Sequence, residues 1–271
     1  MSEKNFCAHD LAQALESWAD PSFAESYDNV GLQVGSATQI VRRVLIALDL
    51  TPGVVEEAIQ KECSMILTHH PLLFRSPSRI LEEDFIGQLI LRLAKKNITL
   101  YSIHTNLDAA HGGVSIALAE ILGLHHRTFL NPSDDGTFGM GAIGHLPEPE
   151  PLKSFLDRVH ARLKTPSLRY AGSDEAQIKT VAVCGGSGGS LIQSALDAKA
   201  DVYVTADLGY HRFFEILGPD GSCQMALVDA GHYETEKHTE QLLCTWLTER
   251  FPTIKFYCTS APTTPIKISI R

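Results

Sequence analysis

VLIALDLTPGVVEEAIQKECSMILT (residues 44–68) and VAVCGGSGGSLIQSALDAKADVYVT (residues 181–205) align end to end without a gap. In each, a short apolar run (44–48 or 181–183) leads through a turn rich in Pro or Gly into a helical pattern. A second apolar run follows, at 65–67 or 202–204. Short continuous apolar runs between turn signals read as strands buried on both faces. Both segments end on Thr, at Thr68 and Thr205, and a third run follows each, at 100–103 and 225–228. Just beyond the Thr residues, His69-His70 aligns with Ala206-Asp207, and Arg75 with Arg212. Strand–helix–strand alternation argues for mainly parallel or mixed sheets. The expected fold is α/β, with two duplicated units; two copies do not make a solenoid.

Outward from this pair, Leu11, Ala14, Leu15 and Trp18 fall at helical spacing over 8–19, ahead of Pro21. A loop is expected over 27–32. Helices are expected over 54–62 with Pro52 near the start, over 85–96, from Gly112-Gly113 through Leu122, and over 191–198. The stretch 131–176 changes character, with Asn131-Pro132, Asp134-Asp135-Gly136, Pro147, Pro149 and Pro151. It reads as a connection carrying turns, a short strand pair around 139–146 and a helix near 152–163. The expected division is a first repeat over 1–130, a connecting segment over 131–176 and a second repeat over 177–271, the halves intertwined as one unit.

Composition sets the class. The 271 residues suffice for one large or two small α/β domains, and 44% apolar with 20% charged is ordinary for a globular protein. With 23 Lys+Arg against 32 Asp+Glu the net charge is −9, so nucleic acid is not the expected partner. The six cysteines are scattered with no CxxC pair, which fits a reducing cytoplasm and no disulfide framework. The first residues have no signal-peptide pattern, and no apolar run reaches membrane-spanning length. A cytoplasmic protein without a membrane partner is expected.

In open α/β sheets, ligands gather at the carboxyl ends of strands. Five of the twelve histidines (His69, His70, His104, His211 and His232) stand at such ends, with Asp108, Asp207 and Glu236 beside them. Each has an ordinary reading. His69-His70 taken alone is a hydrogen-bonded structural pair. Asp108 alone caps the helix opening at Gly112-Gly113. His232 and Glu236 are spaced i, i+4, which puts them on one face if a helix starts at Gly231, and alone they are a solvated helix start. Together, His69, His70, Asp108, His232 and Glu236 at matching strand ends favour a metal site. Three imidazoles and two carboxylates suit Zn, Fe, Mn, Ni or Co better than Ca or Mg, and two carboxylates able to bridge suggest two ions. Adjacent residues of an extended chain point to opposite sides, so His69 and His70 are expected to serve different ions. The run Cys184-Gly-Gly-Ser-Gly-Gly-Ser190 matches neither dinucleotide nor P-loop spacing. A tight turn needing small residues is preferred there to an anion cradle. Cys184 has no activating partner in sequence and is not expected to be a nucleophile.

These motifs, taken in order, resemble the NIF3-like family, also named GTP cyclohydrolase 1 type 2 homologues. The resemblance is carried by Asp28-Asn-Val-Gly-Leu-Gln-Val-Gly35, Thr68-His-His-Pro-Leu-Leu-Phe74, His104-Thr-Asn-Leu-Asp108 with Gly112-Gly113, Cys184-Gly-Gly-Ser-Gly188, Thr205-Ala-Asp-Leu-Gly-Tyr-His211 and Gly231-His-Tyr-Glu-Thr-Glu236. It spans nearly the whole chain. It implies two α/β units meeting at a dinuclear metal centre, with ligands on His69, His70, Asp108, His232 and Glu236. It places His104 and His211 beside the metals or in the substrate pocket, and it implies a toroidal homohexamer. Ala206 departs from the Gly usual before Asp207. The expected function is a metal-dependent hydrolase of a small, nucleotide-like substrate, with His104 or His211 moving the proton. The alternative is a non-enzymatic metal-binding assembly, chaperone or regulatory adaptor protein.

Overall fold

The computed structural model describes residues 5–269. The chain forms two compact units. Among the described residues, one runs to Leu107 and resumes over Thr239–Ile266; the other comprises Asp108–His238 with residues 267–269. This division differs from the expected boundaries near 130 and 177. After His238 the chain returns to the first unit through the helix Thr239–Arg250 and the strand Lys255–Cys258.

In the first unit a five-stranded sheet runs in the order Lys255–Cys258, Arg43–Ala47, Met65–Thr68, Thr99–Ser102, Gly31–Val34. The first four are parallel, and Gly31–Val34 closes the edge antiparallel. Leu32, expected in a loop, is therefore in a strand. The helix Pro52–Gln60 starts where the sequence provides both signals: Pro52 at its first turn and the Thr51 hydroxyl accepting from the Val54 N–H. Its inner face joins Val54, Val55 and Ala58 to Leu45, Ile66 and Leu100 of the sheet and to Leu89 and Leu93 of the helix Phe85–Lys95. The returning segment is held by the buried Glu57 carboxylate. It accepts from the hydroxyls of Thr259 and Ser260 and from the backbone N–H groups of Ser260 and Ala261.

In the second unit a six-stranded sheet runs His125–Pro132, Gly139–Pro151, Gln177–Val183, Val202–Thr205, Ala226–Asp229, Arg169–Ala171. The central Gln177–Val183, Val202–Thr205 and Ala226–Asp229 are parallel to one another, and the flanking strands are antiparallel. Side chains alternate between two cores, as period-two geometry requires. Val181, Val183, Val202, Val204 and Val228 face one core with Phe155 and Val159; Ala182, Tyr203 and Leu227 face the other with Ile192 and Ala195. The 131–176 stretch carries the expected strand around 139–146 and helix near 152–163, and both belong to the second unit. Its strands extend the sheet, and its helix Leu152–Leu163 buries Leu152, Phe155, Leu156 and Val159. The prolines at 147, 149 and 151 are tolerated because they lie in the far part of a long strand, past its pairing with His125–Pro132.

The two aligned segments adopt the same register. Val44 pairs with Met65, Leu45 with Ile66 and Ile46 with Leu67; Val181 pairs with Val202, Ala182 with Tyr203 and Val183 with Val204. Thr68 then pairs with Ser102 and Thr205 with Asp229, and each Thr carbonyl accepts the next N–H, from Ile103 and Ala230 respectively. An antiparallel edge strand follows the third strand in both sheets. No helix among the described residues is long and apolar enough to cross a membrane.

Candidate functional site

In the first unit, His69 and His70 leave the end of Met65–Thr68, and His104 follows Thr99–Ser102 two residues on. The strand ends at Thr68, and its hydroxyl donates to the His70 carbonyl at 2.9 Å, bending the chain. The bend breaks the alternation expected of an extended pair, so the His69 and His70 rings lie side by side, 5.1 Å between centroids. The His104 ring stands 5.2 Å from His69 and 5.3 Å from His70. One ring nitrogen from each of the three lies within 4.8 Å of the others, a spacing that can hold an ion.

The tautomers follow from the partners. His69 Nδ1 meets the Ile103 carbonyl at 2.8 Å, His70 Nδ1 meets Asp49 Oδ1 at 2.7 Å, and His104 Nδ1 meets Asp28 Oδ1 at 2.8 Å. Carbonyl and carboxylate oxygens only accept, so each Nδ1 carries a proton and each ring turns its Nε2 the other way. An imidazole anchored this way is the usual metal donor, fixed in orientation and made more basic by its oxygen partner. The Asp28 side chain is itself buried. Burial alone would raise its pKa, but bonds from His104 and from the Thr105 hydroxyl outweigh it and hold the carboxyl well below the usual range.

In the second unit, Gly231 takes φ of 89°, a left-handed conformation suited to glycine, and opens the five-residue helix His232–Glu236. His232 Nε2 then lies 3.0 Å from Glu236 Oε2, and His232 Nδ1 lies 2.7 Å from Asp207 Oδ2. Glu236 is buried, and His232 is half-buried. His232 thus repeats the Nδ1 arrangement of the other three, and its Nε2 faces a second carboxylate, that of Glu236. Asp108 lies in the short helix Thr105–Ala109. The next helix, Val114–Ile121, is capped by Gly113 with no side-chain cap bond, so Asp108 is not its cap.

The Gly-rich run lies against these donors. A Cβ on Gly186 (φ 60°) would stand 2.1 Å from Glu236 Oε1 and 3.1 Å from His232 Nε2; one on Gly188 would stand 2.3 Å from Thr205 Oγ1. Close backbone approach accounts for these glycines. Cys184, at the head of the run, is buried, and burial, then the nearby Asp108 charge, pushes its thiol up to about 12. It is not a nucleophile at neutral pH. Ala206 causes no strain, because the left-handed residue of that turn is Asp207 at φ 56°.

His104 joins the histidine cluster, whereas His211 sits on the turn Tyr210–Phe214, its ring 5.2 Å from Tyr210 and 6.3 Å from Phe214. Asp207, grouped with His211 from sequence, pairs with His232. Asp28 and Asp49 as histidine anchors were not anticipated. The available signals were Asp49 just past a strand end and Asp28 heading its glycine-containing motif.

Comparison with known proteins agrees in sequence and in fold. Residues 7–265 match the Duf34/NIF3 (NGG1p interacting factor 3) family. The chain is 37% identical over 229 residues to a GTP cyclohydrolase 1 type 2 homolog of Clostridium acetobutylicum, covering 84% of each. It is 32% identical over 265 residues to the protein of that name from Streptococcus pneumoniae, covering 95% of this chain and 98% of the relative. Among solved structures, a Bacillus cereus protein related to NIF3 superposes with a TM-score of 0.91 at 25% identity, over 98% of this chain and 100% of that one. A matching sequence over almost the entire length and a matching fold lead to one conclusion: the chain belongs to the Duf34/NIF3 family.

Proposed function

We propose that this protein is a metal-dependent hydrolase of small, nucleotide-like substrates, with two divalent transition-metal ions (Zn, Fe, Mn, Ni or Co) held by His69, His70, Asp108, His232 and Glu236. The observation that carries this reading is the grouping of His69, His70 and His104, one ring nitrogen of each within 4.8 Å of the others, each ring fixed through Nδ1 on an oxygen acceptor as His232 also is. The donor set of nitrogen and carboxylate oxygen suits these metals. Names of relatives as GTP cyclohydrolase 1 type 2 homologs support the substrate class.

Ions held there supply Lewis acidity, polarising the bond under attack and activating water. The chain's own groups do the rest. Ile103, Asp49 and Asp207 orient their imidazoles. His104, tied to Asp28, and His211 on its exposed turn are the proton carriers we assign, since an imidazole can take a proton at one nitrogen and release one from the other. We further read the matching sheet registers as a duplicated unit, the assembly as a toroidal homohexamer with closed symmetry, and the compartment as the cytoplasm, which suits six free cysteines. Light scattering at micromolar concentration is expected to give the hexamer; a monomer would contradict the assembly.

The deciding experiment is metal analysis of the purified protein, then a screen of nucleotides, phosphoesters and cyclic amides with the native metal restored. Turnover is the expected result. Full metal content with no turnover anywhere in the screen would displace the hydrolase reading in favour of a metal-handling or adaptor protein.

A further inference from the structure

Beside the histidine cluster of the first unit stand two large side chains that the metal chemistry does not use. Tyr27 is 64% exposed and Phe74 43% exposed. Their rings meet edge to face, 6.1 Å between centroids, and Phe74 in turn lies 6.3 Å from the His104 imidazole. Exposed aromatic rings grouped beside polar functional residues mark a binding surface more often than a packing defect.

The position of Phe74 is built, not incidental. Asn29 Nδ2 donates to the Leu73 carbonyl at 2.6 Å, and the Leu73 N–H donates to Gln33 Oε1 at 3.1 Å. Gln33 Nε2 closes the group on the Asn29 carbonyl at 2.8 Å. Both backbone polar groups of the residue before Phe74 are therefore held by side chains some forty residues away. The far end of the same loop is fixed where Leu81 presses on Gly87, so closely that a Cβ there would stand 2.0 Å from the Leu81 carbonyl oxygen. Asp28, between Tyr27 and Asn29, anchors His104. A single stretch, residues 27–33, thus places one ring of the pair, pins the other and orients the neighbouring imidazole.

We propose that Tyr27 and Phe74 form a platform on which a flat heteroaromatic ring of the substrate stacks beside the His69–His70–His104 cluster. The inference rests on that cluster being the reaction centre, and it adds the ring to the substrate's description. Two rings are too little apolar surface for a stable protein interface, which needs about 800 Å² from each partner. They match the size of one conjugated heterocycle, whose faces stack on aromatic side chains whatever its hydrogen-bonding edge. Asn29 and Gln33 are positioning residues: they touch the loop, and Phe74 touches the ring.

The test is binding of guanosine 5′-monophosphate, cytidine 5′-monophosphate and a pterin to the metal-loaded protein by calorimetry, with ribose 5-phosphate as the ringless control. Metal content and oligomeric state are measured on the same samples. At least one ring-bearing probe is expected to bind about tenfold or more tighter than ribose 5-phosphate. Phe74→Leu and Tyr27→Ala are expected to remove that margin with metal content unchanged, whereas Phe74→Trp retains it. Gln33→Ala is expected to weaken ring binding while leaving the ribose 5-phosphate affinity alone. No preference for any ring overturns the proposal, even if the metals are present. Retention of the preference in Phe74→Leu overturns stacking, and a change of oligomeric state in the Tyr27 or Phe74 variants assigns the rings to a contact between copies instead. Ring preference in wild-type protein that takes up no metal and turns over nothing would uphold the platform and count against the hydrolase reading alone.

Discussion

Gly186 lies against Glu236 so closely that a methyl group on its α-carbon would stand 2.1 Å from Oε1. The Gly186 N–H also donates to the Thr235 hydroxyl at 3.0 Å, which ties the Gly-rich turn to the helix carrying His232 and Glu236. The glycine is there for the carboxylate's position.

Gly186→Ala is therefore expected to act on the site more than on the fold. Its left-handed φ of 60° costs an alanine about 1–2 kcal/mol. Gly112, at φ 68° with nothing within 4 Å of a built Cβ, supplies the control. Both alanine variants should lose stability in urea through the left-handed φ, Gly186→Ala the more because the Glu236 carboxylate must move aside, but only Gly186→Ala should lose bound metal. Equal metal content in the two would show that Glu236 is not a ligand or moves freely.

His70→Ala and Asp108→Ala are expected to lower metal per chain from about two, the count of a two-metal site. Elemental analysis by mass spectrometry reads this directly. Full metal content in both variants would sink the ligand assignment.

His104→Ala is expected to keep the metals and lose hydrolytic rate by about 100-fold or more, the usual worth of a positioned acid or base. The structure sharpens the alternative, since a His104 ring nitrogen lies within 4.8 Å of donors on His69 and His70. Metal loss in this variant would make His104 a ligand rather than a proton carrier.

Glu57 sets an acid limit on the first unit. Burial would raise its carboxyl, but bonds from Thr259, Ser260 and Ala261 together outweigh burial and bring it from 4.5 down to about 2. A depressed folded-state pKa gives stability that is present above 4.5 and lost as pH falls through about 2. The contribution is up to roughly 3 kcal/mol. Glu57→Gln should flatten the pH dependence of urea stability across that window, and an unchanged slope would show that the Glu57 bonds do not differ between folded and unfolded chains.

Much of the architecture was legible because strand burial and helix periodicity are local. The runs at 44–48, 65–67, 181–183 and 202–204 emerge as strands within a residue or two at most positions, and their gapless alignment reappears as a shared register. The histidines at strand ends were visible for the same reason. What the sequence by itself determined was thus which segments are strands and which polar residues cap them. Only the tertiary structure decided what those strands pair with and what those residues touch. The helix Thr239–Arg250 carries few core side chains, Leu243 and Leu247 chief among them, so it has no strong apolar stripe to announce it. Its unit is set by the parallel pairing of Lys255–Cys258 with Arg43–Ala47, across some two hundred residues of chain. The 131–176 stretch read as a connection with a strand pair around 139–146 and a helix near 152–163; both are present, but only pairing with Gln177–Val183 makes the strand part of the second unit's sheet. His104 finds its acceptor 76 residues away, at Asp28, and so acquires its tautomer from a neighbour no local pattern names. Periodicity depends on the next few residues; hydrogen-bond partners at a site depend on which distant strand ends the packed core brings together.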